Sequence, residues 1–306
     1  MTRAQFIRML TAVLMSASAA TARTQTTVER RMQTRPIPSS GERLPVIGCG
    51  TWLGFDVRLG QRDRLRAVLE VLFEAGGSVI DSSPEYGAAE AVVGELLATM
   101  SAHERVFLAT KVWSRGRESG IRQMNQSFEL LRDNVIDLMQ VHNLIDWRTH
   151  LETMRAWKRE GRLRYIGITH YTESAHDDLE AIMRAEPLDF VQLNYAVNDR
   201  GAANRLLPLA AERGIAVLVN RPFGGGGLLR RLSRHTLPAW ANELDCTSWA
   251  QVLLKFVLAQ PAVTCVIPGT GNPAHMRDNV LAGGDPFPDA GLQQRMITEI
   301  SNLSGN

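Results

Sequence analysis

Val79–Gly87 reads VIDSSPEYG: an apolar run that ends on an acid, with a tyrosine five residues further on. A short apolar run closing on Asp81, a brief loop, and a helix opening at about Ala88 make a strand–loop–helix unit. In α/β barrels the carboxyl end of such a strand is where chemistry is placed, which makes Asp81 and Tyr86 the first candidates for a site. Taken alone, the stretch fits a helix-capping acid and a loop tyrosine equally well, and the flanking sequence has to separate the two.

On both sides the same unit recurs. Strand signals fall at 46–50, 78–81, 106–112, 135–142, 163–169, 190–194, 215–220 and 263–268. Between them lie helical patterns. Leu65, Val68, Leu69, Leu72 and Phe73 share one face of a helix over 62–75, and Ile121, Met124, Phe128 and Leu131 share one over 120–132. Further helices are expected over 88–100, 149–160, 173–184, 202–213, from about 247, and over 273–282. Eight strand signals alternate with helices at a period of about 25–30 residues, broken only after the seventh by the glycine run 224–227 and an irregular stretch. That pattern predicts a closed parallel (β/α)8 TIM barrel rather than an open doubly wound sheet. PIPSSGERLPV, 36–46, predicts a β-hairpin ahead of the first barrel strand, and a carboxyl-terminal helix is expected over 291–303.

The chain has 306 residues, 44% hydrophobic and 22% charged, ordinary values for one globular domain. Its net charge of +2 is unevenly spread: residues 1–35 carry six arginines against Glu29, which leaves 28 basic and 31 acidic residues in the remainder. A slightly acidic domain lacks the basic surface that binding to phosphate backbones requires, so no nucleic-acid partner is expected. Cys49, Cys246 and Cys265 show neither CxxC spacing nor an even count, which argues against a disulfide framework or a zinc site. Cys49 and Cys265 fall on the first and last barrel strands, neighbours once the barrel closes, and read as buried reduced thiols.

Thr2–Ala22, TRAQFIRMLTAVLMSASAATA, has two arginines, a moderately apolar stretch and an Ala-x-Ala ending, the layout of a signal peptide over about 1–22. TRAQFIR is similar to a twin-arginine export motif with Ala4 in place of the second arginine. The segment therefore implies a periplasmic protein, the alternative being a leader on a cytoplasmic one. Residues 23–35 read as a polar linker, so the domain plan is 1–35 leader and linker and 36–306 barrel. No other stretch has the ~20 continuous apolar residues of a membrane span, so no span is expected after processing.

The polar residues gather at the strand ends. Thr51 and Trp52, Asp81 with Tyr86, Lys111, His142, Thr169 and His170, Gln192, Asn220, and Gly269 with Thr270 all follow or close a strand, and in a barrel they face one mouth. With IGCGTW (47–52), IDSSPEYG (80–87), LATKVW (108–113), IDLMQVHN (136–143), RYIGITHY (164–171), VQLNY (191–195) and IPGTGNPAHMRDN (267–279), the chain resembles the aldo-keto reductases from about Pro36 to Gly284. The resemblance implies an oxidoreductase that moves a hydride from NADPH, with NADH as the alternative, to a small-molecule aldehyde or ketone. It implies a tetrad of Asp81, Tyr86, Lys111 and His142, with Tyr86 as proton donor.

The chemistry is coherent in its own terms. Charge builds on the carbonyl oxygen as hydride arrives, and a positioned acid must protonate it. Lys111 beside the phenol is expected to lower its pKa, Asp81 to hold Lys111, and His142 to orient the carbonyl. Trp52 and Trp113 are candidate walls for an apolar substrate pocket. By the same resemblance, Thr51, Thr169, His170, Gln192 and Asn220 fall to the cofactor, as do Gly269, Thr270, Arg277 and Asn279 at its adenosine end. Three departures stand out: His170 where the family commonly has asparagine; Asn220, followed by Arg221, where it commonly has a stacking aromatic; and Gly269 and His275 where it commonly has a basic residue for the 2′-phosphate, which leaves Arg277 as the substitute. That second change leaves room for another reading, a barrel that binds NADPH as a redox sensor or as a subunit of an assembly, with little turnover.

Overall fold

The computed structural model of the protein describes residues 32–58 and 61–305. The leader, its arginine motif and residues 23–31 of the linker lie outside the described residues.

The chain enters through an antiparallel hairpin, β1 (Thr34–Pro36) and β2 (Arg43–Pro45), in the register Thr34 with Pro45 and Pro36 with Arg43. Gly41 closes its turn with a left-handed φ of 78°. The structured domain therefore begins earlier than the expected boundary at 36. Met32 is buried, and the Arg35 guanidinium reaches the carbonyls of Gln260 (2.9 Å), Val263 and Leu258. Polarity disguised this segment, because Arg35 caps backbone carbonyls at the floor of the barrel rather than facing water.

Eight parallel strands follow in sequence order: β3 (Cys49–Gly50), β4 (Val79–Asp81), β5 (Phe107–Val112), β6 (Ile136–His142), β7 (Leu163–Thr169), β8 (Phe190–Asn194), β9 (Ala216–Asn220) and β10 (Val263–Val266). Val266 N donates to Val46 O and Gly48 N to Val266 O, both at 2.9 Å, and bridges pair Ile47 with Val266 and Gly50 with Gly269. These bonds join last strand to first. The approach is close: a Cβ on Gly50 would lie 2.9 Å from the carbonyl oxygen of Ile267.

The helices lie close to their expected places: α1 (Arg62–Glu74), α2 (Ala89–Met100), α3 (Arg117–Leu131), α4 (Trp147–Arg159), α5 (His176–Ala185) and α6 (Leu206–Arg213). The stretch after the seventh strand, read as irregular, forms a short helix α7 (Gly227–Leu232) that buries Leu228 and Leu232. Next come α8 (Trp249–Leu258), α9 (Pro273–Leu281) and the carboxyl-terminal α10 (Ala290–Ser304). α8 starts where the Ser248 hydroxyl accepts from Gln251 N at 3.1 Å, a cap written in the sequence as Ser-x-x-Gln. No helix among the described residues is long and apolar enough to cross a membrane.

The two-residue period of the strands sorts the core into two bodies. Val79, Phe107, Ala109, Leu138, Tyr165, Phe190, Leu218 and Cys265 fill the barrel interior, with Ile37 and Leu44 of the hairpin among them as its floor. Alternate residues such as Ile80, Leu108, Met139, Ile168, Val191 and Val219 pack against the helices. Cys49, Cys246 and Cys265 are all buried, and burial pushes the Cys49 thiol up to about 12. They serve as small hydrophobes.

Helix α2 reaches α3 across Gly94, where a Cβ would lie 2.1 Å from the carbonyl oxygen of Leu130 and 2.8 Å from Leu131 Cα. Backbone cannot retreat as a side chain can. Gly94→Ala is expected to lower stability by about 1–3 kcal/mol in urea unfolding despite alanine's better helix propensity.

Candidate active site

At their carboxyl ends the inward positions of the strands switch from apolar to polar: Val79 gives way to Asp81, Ala109 to Lys111, Leu138 to Gln140 and His142, Phe190 to Gln192, and Leu218 to Asn220. Parallel register holds these residues at similar heights, with Lys111 beside Gln140, His142 beside Thr169, and Thr169 beside Gln192.

At the centre Lys111 Nζ donates to Asp81 Oδ2 at 2.6 Å and to the Ser82 carbonyl at 2.6 Å. Lys111 is wholly buried and Asp81 is 2% exposed. Asp81 Oδ1 accepts from Gln140 Nε2 at 3.0 Å and Gln192 Nε2 at 2.8 Å, so three donors fix the carboxylate. Tyr86 lies in the loop from β4 to α2, its ring centroid 5.1 Å from Lys111 Nζ and 6.1 Å edge-on from the His142 ring. The four candidates from the sequence therefore meet at the mouth.

Burial works against the Lys111 charge, yet the neighbouring Asp81 and Tyr86, with the bond to Asp81, hold its pKa above the ordinary lysine value. Tyr86 departs from the sequence-based expectation of a lowered pKa. Burial is the largest influence and pushes the phenol up; the Lys111 charge and hydrogen bond pull it down without overcoming burial. Tyr86 is thereby a neutral hydroxyl, with a proton to give, across the neutral range.

His142 has partners the sequence reading did not name. Its Nδ1 meets Glu85 Oε2 in a short contact and lies 3.2 Å from Ser83 Oγ, which itself donates to Glu85 Oε2 at 2.6 Å. Glu85 and Ser83 stand within VIDSSPEYG but fit no alternation, because they belong to a loop. Gln140 was legible: it lies two residues before His142 and so shares its inward side.

The remaining candidates divide. Gln192 Oε1 accepts from Asn220 Nδ2 at 3.3 Å and its Nε2 also reaches Gln140 Oε1 at 3.1 Å, so this amide is tied into the Asp81 network. Thr51 Oγ1 bonds the Asp81 carbonyl (3.1 Å) and Ser82 Oγ (3.0 Å), and Thr270 Oγ1 accepts from Asn272 N at 3.1 Å. Thr169 and Asn279 are buried, Gly269 bridges to Gly50, and Arg277 is exposed on α9. Asn220 Oδ1 is buried without a partner. His170 Nδ1 accepts from Thr172 N at 3.3 Å, which leaves Nε2–H as a donor, and burial holds its pKa below the ordinary value. Trp52 is 60% and Trp113 45% exposed, and with Tyr171 they rim the mouth rather than pack in the core.

A parallel barrel whose carboxyl-end mouth holds a buried aspartate–lysine pair beside a tyrosine and a histidine is an enzyme scaffold of the (β/α)8 class. The family model of the aldo/keto reductases matches residues 46–294, and the chain belongs to that family. It is 30% identical over 261 residues to methylglyoxal reductase YeaE of Escherichia coli, across 81% of this chain and 89% of that protein. It is 26% identical to the NADH-specific methylglyoxal reductase of the same organism, across 85% and 96%. Its fold matches that of an aldo-keto reductase from Klebsiella pneumoniae in complex with NADPH with a TM-score of 0.73 at 24% identity, across 89% and 95% of the two chains.

Removing one member of the central pair strands the other. Lys111→Ala is expected to cost about 3–5 kcal/mol in urea unfolding at neutral pH, while Lys111→Met combined with Asp81→Asn recovers most of that loss. An equal loss in both variants would show that the ion pair is not what the site rests on.

Proposed function

We propose that the protein reduces the carbonyl of a small aldehyde or ketone, with Tyr86 as the proton donor and NADPH as the reductant. The observation that carries this reading is the buried Lys111–Asp81 pair set against a Tyr86 phenol that burial keeps protonated. The reduced nicotinamide, when bound, supplies the hydride. Tyr86 gives its hydroxyl proton to the oxygen on which charge develops. Lys111 stabilises the phenolate left behind, and Asp81, fixed by Gln140 and Gln192, holds Lys111 in place. His142 orients the carbonyl from the other side of the tyrosine.

The residues present suit a nicotinamide carboxamide. The unpartnered Asn220 Oδ1 offers an acceptor and His170 Nε2–H a donor, while Gln192 steadies Asn220 from below. Gly269, Thr270 and Asn279 frame the adenosine end, and Arg277, exposed on α9, is the substitute there for the basic residue that the family turns to a 2′-phosphate. The NADH-specific relative keeps NADH as the alternative. The exposed Trp52 and Trp113 suit a substrate with apolar surface, and the methylglyoxal reductases among the relatives direct the first tests to dicarbonyls.

Tyr86→Phe is expected to lower kcat for methylglyoxal or an aromatic aldehyde by about 10²–10⁴-fold while leaving NADPH affinity intact. Stopped-flow and fluorescence titration check the two halves. Equal turnover in both proteins would remove Tyr86 from the mechanism. For the amino-terminal segment we propose export by its twin-arginine-like leader. Amino-terminal sequencing of protein from fractionated cells checks this, and a cytosolic chain beginning at Met1 would overturn it.

A further inference from the structure

Glu85 places a second carboxylate at the mouth, and the tetrad gives it no role. It is largely buried, with 18% of its side chain exposed, and the facing His142 side chain is 12% exposed. Glu85 Oε2 receives the Ser83 hydroxyl at 2.6 Å and meets His142 Nδ1, whereas Glu85 Oε1 is buried without a partner. A neutral imidazole has one N–H and one bare nitrogen. A carboxylate facing Nδ1 repels a lone pair there and draws the single proton to that side, which leaves Nε2 bare. A bare Nε2 cannot donate to a carbonyl oxygen. Donation from Nε2 therefore requires one more proton on the pair, whether drawn as an imidazolium beside a carboxylate or as a neutral imidazole beside a carboxylic acid.

We propose that Glu85 is a positioning residue for His142, and that the two form a one-proton switch deciding whether Nε2 can donate to the substrate carbonyl. The proposal rests on the carbonyl-reductase reading above. Electrostatics of the mouth point the same way. Asp81 and Lys111 cancel each other, so the pair's extra proton decides whether charge builds on the carbonyl oxygen beside a neutral or a negative Glu85–His142 unit. The other titratable groups facing the pair are Tyr86 from its own loop, Glu90 from α2 and His170 from the loop just after β7. Burial pushes both Tyr86 and Glu90 toward their neutral forms and disfavours the charged form of His170, so none of the three replaces the missing proton.

The test follows kcat for reduction of 4-nitrobenzaldehyde at saturating NADPH from about pH 5 to about pH 9. In the wild type, activity is expected to fall by about tenfold per pH unit along an alkaline limb. Tyr86 lies too high to supply that limb, since burial raises it above an ordinary value of about 10. Glu85→Met removes the carboxylate, frees His142 to take the Nε2–H tautomer, and is expected to lose the limb. Identical profiles in the two proteins would overturn the proposal.

Nitrogen-15 NMR of His142 in the full-length wild type, assigned with His142→Asn, reads the same proton without turnover and without relying on the variant's folding. The expected alkaline form is neutral with its proton on Nδ1. An Nε2–H form there would overturn the switch even in an active enzyme. An inactive wild type that shows the Nδ1–H form would instead overturn the reductase reading and leave the pair standing.

Discussion

The buried ion pair between Lys111 and Asp81 is the constraint on which the site depends. Two opposite charges withdrawn from water are tolerated only when their remaining hydrogen-bonding capacity is met. Here Gln140 and Gln192 complete the carboxylate and the Ser82 carbonyl takes another ammonium proton. Three other barrel strands, β5, β6 and β8, thus converge on the aspartate of β4. The arrangement leaves Lys111 beside Tyr86, so the contacts that satisfy the buried charge also bring the ammonium next to the phenol ring.

The barrel makes that convergence available by dividing its interior along the axis. Below, Phe107, Leu138, Tyr165, Phe190 and the hairpin residues Ile37 and Leu44 form an apolar plug; above, the same inward positions are polar. The plug keeps water from the lower side of the ion pair. Burial also raises the Tyr86 pKa, so the fold favours the protonated phenol, and Lys111 moderates that effect without reversing it. Around the rim, Trp52, Trp113 and Tyr171 leave apolar surface exposed next to the site, a pattern that usually marks a place for ligands.

Much of this was legible in the chain, and the misses have physical causes. The helix faces and strand ends followed from periods of 3.6 and 2, which packing against a sheet imposes. Arg35 read as the end of a polar linker because the carbonyls it satisfies come from residues more than 220 positions away. Glu85 and Ser83 escaped because a loop has no period, and Gln192 proved to be drawn inward by Asp81. The direction of the Tyr86 shift depended on burial, which spacing does not report.

By itself the sequence determined the barrel, the order of its strands and the four residue types at its mouth, since alternation and strand ends are local properties of the chain. VIDSSPEYG already carried Asp81, Ser83, Glu85 and Tyr86. The tertiary structure decided which of them touch what: Asp81 the lysine on the neighbouring strand β5, Glu85 the histidine on β6, Tyr86 a half-buried niche between them. Those pairings depend on how far neighbouring strands are staggered as the barrel closes, and that stagger is fixed by packing over the whole ring rather than by any one segment.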